Sequence, residues 1–353
     1  MTSPFLIVIP CLNEEAHLDA LLSRLRADPA AGAARIVVAD GGSTDRSVEI
    51  VRAHAEADAR IVSMHNPKRI QSAGVNMAVA HHAVGEFFVR LDAHAHYPDD
   101  FLARLINAYE TTGADSVTVS MHATSQGGCF QSAAAAAQNS ALGNGGSSHR
   151  NAGARRWVEH GHHALFRTAS FEAAGGYDES FTHNEDAELD TRITGRGGRI
   201  LLAGDIVMDY FPRARAWALA RQYFNYGKGR ARTALKHASA LKPRQLAPVA
   251  VAPAAILALL TPMSPWAGAP LAFWFALCLG FGFALGLRTR TACAFASGVP
   301  AAIMHAAWSF GFWRQLLFSA DRASTHARSQ WTSAPETPWT DPAPGPSLRR
   351  PQD

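Results

Sequence analysis

The stretch Ile-Val-Val-Ala-Asp-Gly-Gly-Ser-Thr-Asp, residues 36–45, runs apolar for four residues, stops on the acid Asp40 and turns through two glycines. Four contiguous apolar residues bounded by turn signals fit a strand buried on both faces of a sheet. The same figure recurs on either side. Phe5 to Ile9 ends at Pro10 and leads into Asn13-Glu14, while Phe87 to Leu91 ends on Asp92. Arg60 to Met64 and Ala114 to Ser120 read as further strands. Helical segments lie between them. Leucines at 18, 21, 22 and 25 share one helix face behind Asn13 as the expected cap, and residues 46–55, 72–82 and 98–111 follow as helices. Strands alternating with helices predict βαβ units, hence an α/β fold with a Rossmann-like, mostly parallel sheet flanked by helices.

In an open parallel sheet the strand C-ends meet at one edge, and ligands bind in the crevice outside it. Asp40 and Asp92 fall at that edge. A third acidic group, Glu185-Asp186, opens a later helical segment. Carboxylates gathered in one crevice repel one another unless a cation joins them, and a divalent metal carrying a diphosphate meets that need. Asp92 is thus expected to bind Mg²⁺ or Mn²⁺. Pro10, Asn13, Glu14 and Asp40 are expected on the donor's base and ribose, with Lys68 and Arg69 on its phosphates. Asp186 is the expected general base for an acceptor hydroxyl. Such a set describes an enzyme acting on a nucleotide-activated substrate. Asp45 reads as a helix cap, and Glu188 and Asp190 as solvent-facing or paired with Arg192. His160, His162 and His163 lack partners at a recognised metal spacing. Gly143 to Arg150 reads as an acceptor lid or a flexible loop.

Across 353 residues, 33 Lys and Arg against 29 Asp and Glu leave a net charge of +4. That sum conceals an asymmetry, because no acid occurs between Asp209 and Asp321 while twelve Lys or Arg do. Basic, acid-free sequence beside apolar runs suits an anionic membrane surface rather than nucleic acid. Three uncharged runs follow one another: Leu246 to Trp266, Gly268 to Leu287 and Thr291 to Trp313. Each reaches the roughly 20 residues that cross a hydrocarbon core. Four cysteines with no C-x-x-C spacing indicate neither a disulfide framework nor a zinc site. The short N-terminal apolar run has no basic lead, so the first domain is expected in the cytosol. These readings divide the chain into a catalytic domain (1–210), a basic amphipathic interfacial segment (211–245), two or three transmembrane helices (246–316) and a proline-rich, disordered tail (317–353).

Seven pieces occur in order between residues 5 and 245. They are Ile-Pro-Cys-Leu-Asn-Glu-Glu (9–15), Asp-Gly-Gly-Ser-Thr-Asp (40–45), Asn-Pro-Lys-Arg-Ile-Gln-Ser-Ala-Gly-Val-Asn (66–76), Arg-Leu-Asp-Ala-His-Ala-His-Tyr-Pro (90–98), Gly-Gly-Tyr-Asp-Glu-Ser (175–180), Asn-Glu-Asp-Ala-Glu-Leu (184–189) and Gln-Tyr-Phe-Asn-Tyr-Gly-Lys-Gly-Arg-Ala (222–231). Through this set the chain resembles family 2 glycosyltransferases of the GT-A fold, and among them the succinoglycan-type exopolysaccharide glucosyltransferases. The resemblance implies inverting transfer of one sugar, glucose foremost, from a UDP-sugar to a polyprenyl-diphosphate-linked saccharide. It implies action at the inner (cytoplasmic) membrane with the catalytic domain in the cytosol. Asp92 would hold the metal, with His94 where the family's Asp-x-Asp carries its second acid, and Asp186 would be the base. Glu185, Gln222, Tyr226 and Arg230 would serve the acceptor or a gate. Processive members carry Gln-x-x-Arg-Trp, and Gln222 to Tyr226 departs from that pattern, which favours a single addition. Two other readings stand beside this one: a polyprenyl-phosphate glycosyltransferase, and a non-catalytic membrane scaffold that binds nucleotide sugars.

Overall fold

The computed structural model describes residues 3–145 and 153–318. Its first half alternates as the apolar runs dictate: β1 (Phe5–Cys11), α1 (Leu18–Ala27), β2 (Ala34–Asp40), α2 (Ser47–Ala57), β3 (Ile61–His65), α3 (Gln71–His82) and β4 (Phe87–Arg90). Then come α4 (Phe101–Thr112), β5 (Ser116–Ala123), α5 (Cys129–Gln138), α6 (Ala141–Asn144), β6 (Arg156–Val158), β7 (His162–Arg167), α7 (Thr168–Ala173), α8 (Glu185–Gly195) and β8 (Ile200–Tyr210). One eight-stranded sheet results, in the order β3-β2-β1-β4-β7-β5-β8-β6. Strands β1, β2, β3 and β4 are mutually parallel, as are β5 and β8, whereas β7 runs antiparallel to both β4 and β5, and β6 to β8.

Alternation along β1 shows why its run has no polar face. Phe5, Ile7 and Ile9 pack with the leucines of α1 and α4, while Leu6 and Val8 pack on the other side with Val75 and Val79 of α3 and Leu189 and Ile193 of α8. A parallel sheet covered on both faces requires apolar residues at every position. Two strands escape the sequence reading. β6 is three residues long, and β8 contains the Gly204-Asp205 break, where its register against β5 slips.

The C-terminal part comprises α9 (Ala216–His237), α10 (Pro243–Val249), α11 (Val251–Leu257), α12 (Ala269–Thr289) and α13 (Gly298–Phe318). Among the described residues, three stretches are long and apolar enough to cross a membrane: Pro243–Leu260, Pro265–Thr289 and Ala292–Phe318. Helix α12 exposes Phe273, Leu277 and Phe283. Helix α13 lies against α9 so closely that a Cβ on Gly227 would stand 1.9 Å from the Trp308 carbonyl oxygen, and one on Gly311 equally near that of Phe224. Pro253 has no N–H to offer the carbonyl of Val249, and α10 and α11 part there. Ser309 Oγ and Trp313 Nε1 of α13 each donate to that carbonyl at 2.9 Å.

The expectation for the cysteines is overturned. Cys129, at the start of α5, is disulfide-bonded to Cys293, which lies between α12 and α13, with Cα atoms 5.1 Å apart. A separation of 164 residues leaves no local spacing to read. The tail expected to be disordered lies, beyond Phe318, outside the described residues, as do residues 146–150 of the glycine-rich segment.

Candidate active site

Register places the site. Cys11 pairs with Asp40 across β1 and β2, and Val8 with Arg90 across β1 and β4. The segments after these strands therefore emerge side by side, carrying Asn13, Asp40 and Asp92 to one edge. Because β7 opposes β4, it is the first residue of β7, His162, that arrives at the same edge.

Asp40 is only 7% exposed and locks its own turn. Its carboxylate accepts from the N–H of Gly42 at 2.9 Å and from the N–H and hydroxyl of Ser43 at 3.2 and 2.5 Å. Gly42 has φ +84°, which explains the glycine there. Asn13 does not cap α1, which begins only at Leu18 without a side-chain cap. Its own φ is +58°; its Oδ1 accepts from the Thr44 N–H at 2.8 Å and its N–H donates to Ser43 Oγ at 2.9 Å. The two loops are thereby stitched together. Asp45 accepts from the Ser47 N–H at 3.0 Å at the start of α2. Pro10 is the half-buried penultimate residue of β1. The Arg69 guanidinium lies against Gly42 at this edge, whereas Lys68 is paired with Glu179.

The centre of the site is Arg90, whose side chain is 4% exposed. Nη1 donates to Asp186 Oδ1 and to the Tyr177 hydroxyl, both at 2.8 Å. Tyr177 donates to the same Asp186 oxygen at 2.8 Å. Nη2 stands 3.5 Å from Asp92 Oδ1. One guanidinium thus joins Asp92, from the end of a strand, with Asp186, from the first turn of a helix. Gln71 Nε2 donates to Asp92 Oδ1 at 3.2 Å, and His162 Nε2 lies 3.7 Å from Asp92 Oδ2.

Charge is balanced unevenly across this cluster. Burial opposes ionisation of Arg90 and Asp92, but their neighbours outweigh it. Asp186, Tyr177 and Asp92 hold Arg90 well above its ordinary pKa. Arg90, then His162 and His94, draw Asp92 below the usual carboxylate range. Glu185 is different: burial, reinforced by Asp186, pushes it up to about 7.

His94, beside Asp92 in sequence, bonds through Nδ1 to Glu14 Oε1 at 2.9 Å, which raises its pKa. His96 rests on Phe211 and pairs through its backbone with Asp209. Glu188 and Asp190 do not face solvent. Glu188 is fully buried against Arg192, Lys236 and His237, and Asp190 holds His160 at 2.7 Å. Further along, Gln222 donates to the hydroxyls of Tyr210 and Tyr226 at 2.8 and 2.9 Å, and Tyr226 and Arg230 line a cavity beside α8.

Sequence reasoning passed over Arg90, Tyr177 and Gln71, and set His162 aside for want of a partner at a recognised spacing. A signal existed for Arg90, because residues two apart on a strand share a face and Arg90 stands two before Asp92. His162 gave none, since its partner is distant in sequence.

Sheet, crevice and acidic strand ends together define a glycosyltransferase of GT-A type. The chain belongs to glycosyl transferase family 2, whose sequence pattern matches residues 6–175. It is 51% identical over 313 residues to succinoglycan biosynthesis protein ExoA of Rhizobium meliloti (strain 1021), across 88% of this chain and 94% of that protein. It is also 37% identical over 120 residues, 33% of this chain and 36% of its relative, to undecaprenyl-phosphate 4-deoxy-4-formamido-L-arabinose transferase of Shewanella sediminis (strain HAW-EB3). Among solved structures, mannosyltransferase PcManGT from Pyrobaculum calidifontis, in complex with GDP-Man and Mn²⁺, aligns at TM-score 0.56 and 18% identity, over 90% of this chain and 88% of that one. That likeness supports the fold. Membership of the family sets the scaffold reading aside.

Proposed function

We propose that the protein transfers one sugar, glucose foremost, from a UDP-sugar to a hydroxyl of a polyprenyl-diphosphate-linked saccharide, inverting the anomeric centre. The reaction would take place at the inner face of the cytoplasmic membrane. The observation that carries this reading is the meeting of Asp92 and Asp186 on Arg90 in one crevice. Similarity to ExoA supports a role in exopolysaccharide synthesis.

Asp92 suits a divalent cation. Its carboxylate is charged, 20% exposed, and flanked by the His162 imidazole. Among the described residues no three carboxylate, imidazole or thiol groups already converge, and one or two carboxylates completed by substrate phosphates is the usual setting of Mg²⁺. Imidazole nearby also suits Mn²⁺. When bound, such an ion neutralises charge on the departing diphosphate. Asp40, Asn13, Glu14 and Pro10 would hold the nucleoside, and Arg69, with Lys68 once released from Glu179, the phosphates. Asp186 would take the acceptor's hydroxyl proton. That oxygen bonds to C1 as the bond from C1 to the diphosphate oxygen breaks, and UDP leaves with the electron pair.

Replacing Asp186 by Asn should lower transfer about 10²–10⁴-fold while UDP affinity stays near wild type. Equal loss of both would remove the base role. A second reading has support in the stretch shared with the undecaprenyl-phosphate transferase. An acceptor phosphate needs no carboxylate base, so under that reading the Asn variant keeps most of its rate.

A further inference from the structure

A cavity of about 650 Å³ opens between α8, α9, α10 and α13, apart from the Arg90 cluster. Asn184, immediately before the Glu185-Asp186 pair, lies in its wall, so the cavity begins one residue from the proposed base. Asn184 is itself fixed to α9 by a 2.8 Å bond to Thr233. Three cationic side chains line the space: Arg230, Lys242 and Arg244. Lys242 is neutralised by Glu159. Neither Arg230 nor Arg244 has a carboxylate within salt-bridge distance among the described residues, and Arg230 Nε is buried without a hydrogen-bond partner. Burial, then repulsion from Arg244, draws the pKa of Arg230 down. Arg230, with its Nε buried and unpartnered, and Arg244, exposed on the same wall, leave guanidinium donors for a ligand with at least two negative charges. Trp308 and Met304, from the apolar α13, form another part of the wall.

We propose that this cavity binds the diphosphate of the polyprenyl-linked acceptor, with Arg230 and Arg244 on the phosphate oxygens and the prenyl chain leaving past Met304 toward the exposed apolar surface. The proposal rests on the acceptor reading given above. A diphosphate could equally come from the nucleotide donor, and the two sources are separable. With the full chain in detergent micelles, affinity is measured for undecaprenyl diphosphate and, separately, for UDP. Arg244→Gln, at an exposed position, should weaken undecaprenyl diphosphate binding about ten- to a hundredfold, the worth of one charged hydrogen-bonding partner, and leave UDP affinity unchanged. Arg230→Gln should do the same, with Arg230→Lys restoring part of the loss. Undecaprenyl diphosphate bound as tightly by both Gln variants as by wild type overturns the proposal. Loss of UDP affinity in parallel overturns it as well, by assigning the arginines to the donor. Failure of the base reading would show in the Asp186→Asn variant instead, with lipid affinity intact.

Discussion

Arg90 is buried between two carboxylates that would otherwise face each other across the crevice. Removing one partner of a buried ion pair leaves uncompensated charge, at a cost of about 3–5 kcal/mol. Arg90→Leu should therefore unfold in denaturant at markedly lower midpoint than wild type, and a variant of unchanged stability would show that the carboxylates do not depend on it. Glu185 predicts a pH effect of definite sign. Its folded pKa, about 7, lies above the ordinary glutamate value of 4.5. Folding thus favours its neutral form, and that contribution is full below the unfolded value and disappears as pH rises through 7. Glu185→Gln should match wild type in Tm at pH 5 and exceed it at pH 8. An equal difference at both pH values would mean that Glu185 is already ionised in the folded chain. Glu188 has the opposite sign: burial would raise it, but His237 and Arg192 hold it at about 2, so its contribution is present above the unfolded value and is lost in acid. The acids themselves were legible because each ends an apolar run or opens a helix. Their partners were not, because His162 reaches the crevice only through the sheet order and Tyr177 only through its backbone bonds to Asn76 of α3.

Elements show the same division. β1 and β2 could be read because a parallel strand covered on both faces has an unbroken apolar signature, while β3 and β5 were legible from apolar and β-branched residues alternating with polar ones. β8 could not, since the Gly204-Asp205 break interrupts its run and pairing with β5 tolerates the slip. The antiparallel insertion of β7 was hidden too, although it decides which end of that strand meets Asp92. In the membrane-facing part, three apolar runs were visible, but not the device that joins them. The orphaned Val249 carbonyl depends on Ser309 and Trp313. Replacing both, as Ser309→Ala with Trp313→Phe, should leave it unsatisfied in apolar surroundings and cost about 1–3 kcal/mol, read as a lowered Tm of the full chain in detergent. No change in Tm would mean that the broken helix finds another donor.

At the scale of the whole molecule, Cys129 and Cys293 are neighbours, 5.1 Å apart from Cα to Cα. A hydrocarbon core is about 30 Å thick, so none can pass between them. Whichever compartment holds the sheet also holds the bend between α12 and α13, near Arg288 and Arg290. Helix α12, with 21 residues, is about 31 Å long at 1.5 Å per residue. If it crosses, the short turn around Met263, before it, emerges on the side opposite the sheet. In sealed inside-out vesicles a membrane-impermeant maleimide should modify Thr291→Cys and spare Met263→Cys, and in right-side-out vesicles the reverse. Labelling of both from one side would show that the helices lie along the surface. The Cys129–Cys293 link is thus a topological marker: a reagent that reaches the crevice and one that reaches this bend must come from the same side.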